Sequence, residues 1–359
     1  MSEDKEDLSG QPTERPVESG GELRMYFEAE PGSEAKIGSN AGLFTVRRNL
    51  VQYQGFKAAA GEILRVHRRG VLAKVSDSLQ IVGQTGSGKT SLATWYEEQF
   101  PRTELDGQMR IRVLRLDTPE CPTVKSLAEA ILVALGDPWA HKGTAQEKTE
   151  RIKHLCEKCG VELIIIDEIQ HFIEGNRHAE LMRVTDWLKT LINQLCVPFV
   201  LMGLPRSIPV TRSNPQLRRR FAAPYYLEPF SYATSAQQRE FRGVLKAMGQ
   251  GLPKGSVNIS SPQEAIRFFY ASCGLIDFVV KLLDDAVSRG GSGPEGAVMR
   301  EDFAASFVRV IWRDAPERLN PFHPKAQLRA LTRVDEPFDM LDDVGKYLRR
   351  AVVAKGRKP

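Results

Sequence analysis

At 359 residues, with 42% hydrophobic and 26% charged side chains, the chain holds one large domain or two ordinary ones and has the balance of a soluble globular protein. No apolar run approaches the roughly 20 residues of a membrane span. The acidic start is neither a secretory signal nor a transit peptide, and five cysteines in so long a chain suit a reducing cytoplasm better than a disulfide framework. The net charge of +5 hides an asymmetry: residues 1–36 carry ten acidic and four basic side chains, leaving 35 acidic against 46 basic in the rest. A basic body behind an acidic leader fits a nucleic-acid partner, and equally fits solubility alone.

Residues 1–36 have few large apolar side chains and read as a disordered acidic leader. The stretch from Gly42 to Tyr53 reads as a loop entering a domain, and Phe56, Ala59, Ile63 and Val66 mark a helix over 56–69 by their spacing. Leu79 to Val82 is an apolar run suited to a buried parallel strand.

Directly after that run comes Gly83-Gln84-Thr85-Gly86-Ser87-Gly88-Lys89-Thr90-Ser91, which satisfies G-x-x-x-x-G-K-[ST]. Its glycines let backbone N–H groups turn inward around an anion. Lys89 can reach the outer phosphates of a nucleotide, and the Thr90 hydroxyl can ligate Mg²⁺. A helix expected over 91–100, stopped by Pro101, would aim its positive end at the phosphates.

Further along, 109–116 alternates aliphatic and arginine residues and reads as one strand. Helices are expected over 123–135 and 145–159, each closed by a glycine. Leu163 to Ile166 is a strand buried on both faces, ending in Asp167-Glu168. Asp167 can hold Mg²⁺ through water, and Glu168 can polarise an attacking water. A helix over 181–195 and strands at 198–202 and 223–227 complete five strands alternating with helices. The expected fold is therefore α/β, a parallel five-stranded sheet in a three-layer phosphate-loop domain over 37–230.

From Ser231 the character changes to helices over 233–248, 262–271, 275–288 and 299–312, with a glycine-rich flexible break at 290–296. This predicts a small all-α lid over 231–313 and a basic, proline-containing tail over 314–359. Pro321 and Pro324 oppose a long helix there and Phe322 is an anchor, either onto the lid or onto a partner.

Arg218-Arg219-Arg220 precedes the last strand and offers permanent cations for phosphoryl transfer, Arg220 foremost, or contacts for a nucleic-acid backbone. Cys156 and Cys159 lack two further zinc ligands and read as helix residues one turn apart. Trp139, Trp187 and Trp312 read as packing residues.

With these motifs in place the chain resembles AAA+ ATPases. More narrowly it resembles the TniB/TnsC group of transposition regulators, relatives of the phage MuB protein. The resemblance runs from about Phe44 to Ala286. It is carried by the phosphate loop, Thr118-Pro-Glu-Cys-Pro-Thr123, Ile165-Ile-Asp-Glu-Ile-Gln-His171, Val200-Leu-Met-Gly203, Arg219-Arg-Phe221 and the helix begun at Cys273-Gly-Leu-Ile-Asp277. It implies an ATP- and Mg²⁺-dependent ATPase that forms homo-oligomeric rings or helical filaments on double-stranded DNA. It also implies transposase subunits and a target-selection protein as partners, with Arg220 acting in a neighbouring subunit's site.

Two departures from the group stand out. Gly203-Leu204 occupies the place of a polar sensor residue, and Asp277, with Lys281 one turn on, stands near the usual lid arginine. Hydrolysis is expected to be slow. DNA contact is expected to be mostly to phosphates, with Lys125 and Lys142 as candidate contacts. Two alternatives stay open: a replication initiator or helicase loader of the same superfamily, and a nucleotide-gated signalling switch that binds no nucleic acid.

Overall fold

The structure is a computed structural model that describes residues 53–174, 178–221 and 223–339. The acidic leader at 1–36, nearly all of the entry loop at 42–53 and the final part of the tail at 340–359 lie outside them.

Helix α1 (Gln54–Ala73) buries one stripe of Phe56, Ala59, Ala60, Ile63, Val66, His67 and Gly70. Gly70 allows a close approach, since a Cβ there would lie 2.6 Å from Pro198. Beneath α1, β1 (Leu79–Gly83) is buried at every residue. It leads through the phosphate loop into α2 (Lys89–Glu98). The helix starts two residues before the sequence reading because Lys89 already belongs to its first turn.

The single strand expected over 109–116 is divided. Strands β2 (Thr103–Leu105) and β3 (Gln108–Arg110) form a separate antiparallel hairpin, and only β4 (Val113–Asp117) joins the main sheet. The cause is local. Asp106 and Gly107 both take positive φ, 50° and 71°, the backbone of a two-residue hairpin turn for which Asp-Gly is a preferred sequence. Ile111 then bonds the Cys159 carbonyl and not a strand neighbour.

Helices α3 (Val124–Leu135) and α4 (Ala145–Cys159) carry capping boxes at Thr123/Ser126 and Thr144/Glu147, and left-handed glycines, Gly136 and Gly160, end them. Strand β5 (Leu163–Asp167) is wholly buried. After it come α5 (His171–Glu174), α6 (His178–Leu195), β6 (Phe199–Gly203), α7 (Ile208–Arg212), α8 (Pro215–Arg220) and β7 (Tyr225–Leu227). The five strands pair in parallel in the order β4-β5-β6-β1-β7, with β2 and β3 apart. The sheet aligns all its strand C-termini on one edge, the edge where α/β folds bind ligands.

The helical part contains α9 (Ser235–Gly249), α10 (Pro262–Ser272), α11 (Ile276–Ser288) and α12 (Arg300–Val310). These share a second core with Leu319, Phe322, Leu331 and Phe338 from the segment after α12. Phe322 is 1% exposed and its ring centroid lies 4.9 Å from that of Phe268 and 5.6 Å from that of Phe303. Residues 314–339 thus pack on the lid. The glycine run at 290–296, expected to be a flexible break, is a built turn. A Cβ on Gly291 would fall 2.0 Å from the Ala297 carbonyl oxygen, and Ser292 donates its N–H to Asp302 at 3.0 Å.

Candidate nucleotide site

The loop between β1 and α2 is shaped by Gly86 and Gly88, at φ 80° and 95°, a region that glycine enters without strain. The Lys89 ammonium donates to the carbonyls of Gly83 at 2.9 Å and Gln84 at 3.0 Å, which folds the lysine over the loop. Gly83 has no room for a side chain, because a Cβ would lie 2.5 Å from Ser87 Oγ and 2.6 Å from the Leu227 carbonyl. Ser87 Oγ is buried without a hydrogen-bond partner among the described residues. Thr85, Gly86, Gly88, Lys89, Thr90 and Ser91 face a cavity of about 310 Å³ that Glu168, Gln170, Leu204 and Asp277 complete.

Next to this loop, the Thr90 hydroxyl donates to Asp167 Oδ2 at 2.7 Å, and the Glu168 N–H donates to Asp167 Oδ1 at 2.8 Å. Asp167 is fully buried. That burial raises its carboxyl above the ordinary aspartate range, against the two hydrogen bonds that lower it. A cation would relieve the cost, since a nearby positive charge favours the carboxylate. Paired hard oxygen donors, Thr90 lining the cavity and Asp167 bonded to it from behind, fit Mg²⁺. Glu168 has φ 58°, uncommon for a residue with a side chain, and its carboxylate accepts from Gln170 Nε2.

The lid reaches the site. Asp277 N donates to the Gly86 carbonyl at 3.2 Å, and a Cβ at Gly86 would lie 3.1 Å from Asp277 Cβ. Asp277 pairs with Lys281 at 2.6 Å. Gly274, at φ 74°, lets this helix start in place, for a Cβ there would meet the Phe230 carbonyl at 2.2 Å. Three contributors were not singled out from sequence. Tyr53 donates its hydroxyl to the Ser87 carbonyl at 3.2 Å. Thr118 donates from N and Oγ1 to the Asp167 carbonyl at 2.9 and 2.7 Å. Gln170 stands beside Glu168. Only the last two sit inside motifs visible in the chain.

Arg220 is elsewhere. Its carbonyl accepts from Ser78 N at 2.8 Å and its guanidinium bonds Ser76 Oγ, while Arg218 and Arg219 are exposed. Ser78 precedes β1 and the phosphate loop follows it, so the five residues of β1, roughly 16 Å at 3.3 Å per residue, separate the arginines from the loop of the same subunit. Lys125 and Lys142 are exposed and line no part of the cavity. Trp139, expected to pack, is instead 56% exposed with the Lys142 ammonium 4.1 Å from its ring. Asp137 caps the Trp139 N–H, and Arg151 holds the carbonyls of 139 and 142, which turns the indole outward. Trp187, by contrast, packs against the core and donates to Thr149 at 3.0 Å.

The family model described as Bacterial TniB protein matches residues 44–232. The chain belongs to the TniB family. No curated protein matches it in sequence. Among solved structures it is similar to the ORC2 protein of Aeropyrum pernix, described in ADPNP-ADP complexes, at TM-score 0.53 and 16% identity, covering 70% of this chain and 66% of that one. It is also similar to the Aeropyrum pernix ORC1 protein, described in complex with DNA, at TM-score 0.55 and 17% identity over 77% and 71% of the two chains. A third is Cdc6p of Pyrobaculum aerophilum, at 0.53 and 12% over 77% and 73%. This TniB-type chain thus spans just under two thirds of the length of the first of these structures. The family match and the shared fold agree on a TniB-type α/β domain built around a phosphate loop. Among the described residues no helix is long and apolar enough to cross a membrane.

Proposed function

We propose that this TniB-family ATPase is an ATP-dependent, DNA-binding transposition regulator that assembles on duplex DNA and recruits or activates a transposase. The observation that carries the reading is the split of its catalytic parts. Lys89, Thr90, Asp167 and Glu168 lie at the strand C-termini, whereas Arg220 lies at the opposite edge, beside Ser76 and Ser78, with Arg218 and Arg219 exposed on the same helix. A subunit with its anion cradle on one edge and its spare cations on the other completes a site by stacking head to tail, which generates rings or filaments.

In this reading Lys89 leaves the loop carbonyls for the outer phosphates of ATP, and the Gly86–Ser91 backbone cradles them. Thr90 and Asp167 would hold Mg²⁺, which when bound neutralises charge on the phosphate oxygens. Glu168 takes a proton from the attacking water. Arg220 of one subunit meets the charge developing on the phosphoryl group in the next, with Arg219 and Arg218 as fallbacks. DNA contact is to phosphates, with Lys125 and Lys142 as candidates, and weakens steeply as salt rises. A cytoplasmic setting goes with this role.

Electron microscopy of the protein with duplex DNA and a non-hydrolysable ATP analogue tests the proposal. Rings or filaments that need both ligands support it. Persistently single subunits, or assemblies indifferent to DNA, reject it. The second reading, a replication initiator, draws on the likeness to an ORC1 protein described with DNA. Capture of a helicase and not a transposase by the DNA-bound form would favour it.

A further inference from the structure

Gln170 sits two residues beyond Glu168 and is 4% exposed. Its amide nitrogen donates to the Glu168 carboxylate, and its amide oxygen accepts from Leu204 N at 3.2 Å. Both ends of one side chain are therefore used, one at the end of β5 and the other at the residue that follows β6. Gln170, Glu168 and Leu204 all face the nucleotide cavity.

Gly203 explains how this side chain gets in. A Cβ at 203 would lie 2.9 Å from Gln170 Oε1 and 2.7 Å from Ile169 Cγ1. The space beside the last residue of β6, which a side chain at 203 would take, is filled by Gln170 reaching across from β5. Gly203-Leu204 offers no polar side chain to the cavity, and the amide of Gln170 supplies one. Because Ile169 N also bonds the Met202 carbonyl at 3.0 Å, the backbone around Gln170 is tied to β6 as well.

A glutamate has three rotatable side-chain bonds and gains from being fixed. A general base acts when it stands within hydrogen-bond reach of the proton it removes, so a small displacement is costly. An N–H donor to a carboxylate both orients it and favours its charged form. We infer that Gln170 is the positioning residue of the hydrolytic centre: it holds the Glu168 carboxylate toward the cavity and links it to the end of β6, in place of a polar side chain at 203. The inference rests on Glu168 being the general base.

The test compares Gln170→Ala, Gln170→Glu and Glu168→Gln for steady-state ATP turnover, resolved into kcat and KM, affinity for a non-hydrolysable ATP analogue, and thermal stability. Gln170→Ala should lower kcat about tenfold or more, with KM and analogue affinity within about twofold of the parent. Gln170→Glu keeps the shape but replaces the donor with a second carboxylate. It should lower kcat at least as far as Gln170→Ala, again with KM and analogue affinity within about twofold of the parent. A residue that merely packed would leave kcat near the parent's in this near-isosteric variant. If Gln170→Ala proves unstable, the near-isosteric Gln170→Glu carries the test alone. The inference is overturned if kcat stays within about twofold of the parent in every Gln170 variant that folds while Glu168→Gln abolishes turnover. If Glu168→Gln itself turns over like the parent, the general-base reading fails and the inference falls with it.

Discussion

The Thr90 hydroxyl donates to the Asp167 carboxylate at 2.7 Å, joining residues 77 positions apart. This bond ties the first turn of α2 to the end of β5, and it brings together the two oxygen donors proposed for Mg²⁺. Asp167→Asn keeps the shape and an acceptor for Thr90 but removes the charge that a divalent cation needs. Titration calorimetry should find ATP affinity in the variant no longer raised by Mg²⁺, with metal-free affinity within a few-fold of the parent. An undiminished Mg²⁺ effect would place the cation elsewhere.

Lys89→Ala and Arg220→Ala should each abolish turnover alone, for different reasons. The first removes a charge-assisted phosphate contact, weakening ATP binding by roughly 10- to 100-fold. The second leaves the cradle intact and removes a cation supplied to the neighbour, at a cost of about 10³-fold in rate. A mixture of the two proteins should regain part of the activity, since an intact Lys89 site can then face an intact Arg220. No recovery despite co-assembly would reduce Arg220 to its bond with Ser76, and the same pairing with Arg219→Ala or Arg218→Ala would then be the next comparison.

Phe322 lies in the lid core against both Phe268 and Phe303. Phe322→Ala should cost about 3–5 kcal/mol of stability, the usual loss for a buried phenylalanine, read by chemical denaturation. Truncation after residue 314 should cost more, because Leu331 and Phe338 leave the same core. A truncated chain as stable as the parent would show that the segment packs without contributing.

Glu336 adds a pH dependence to that segment. The paired hydrogen bond from the Arg329 guanidinium, with the Arg333 N–H at 2.9 Å, holds its carboxyl down at about 2 against an ordinary 4.5. A depressed folded-state pKa means the stabilisation is complete above 4.5 and is lost as pH falls from there toward 2. Melting temperatures measured over that window should fall less steeply in Glu336→Gln than in the parent. Parallel slopes would remove Glu336 from the account.

The phosphate loop and Asp167-Glu168 were legible because each is a local pattern: a strand, a glycine turn and a helix in one case, four buried aliphatics ending in carboxylates in the other. The same locality made α3 and α4 readable from their closing glycines. Where the chain was misread, a non-local or opposing local preference had won. The arginine-aliphatic alternation at 109–116 matched one strand, but the Asp106-Gly107 turn had already spent part of it on a hairpin. Trp139 looked like core by residue type, and the Asp137 cap turned it to solvent. What only the tertiary structure decided are relationships between distant segments: Tyr53 and Asp277 reaching the phosphate loop, Arg220 at the edge of the sheet away from Lys89, and Gln170 filling the space that Gly203 leaves. Sequence spacing encodes which groups a strand or helix presents. It does not encode which strand lies beside which, and the order β4-β5-β6-β1-β7 is what brings β5, β6 and the loop after β1 to one edge and leaves the arginines at the other.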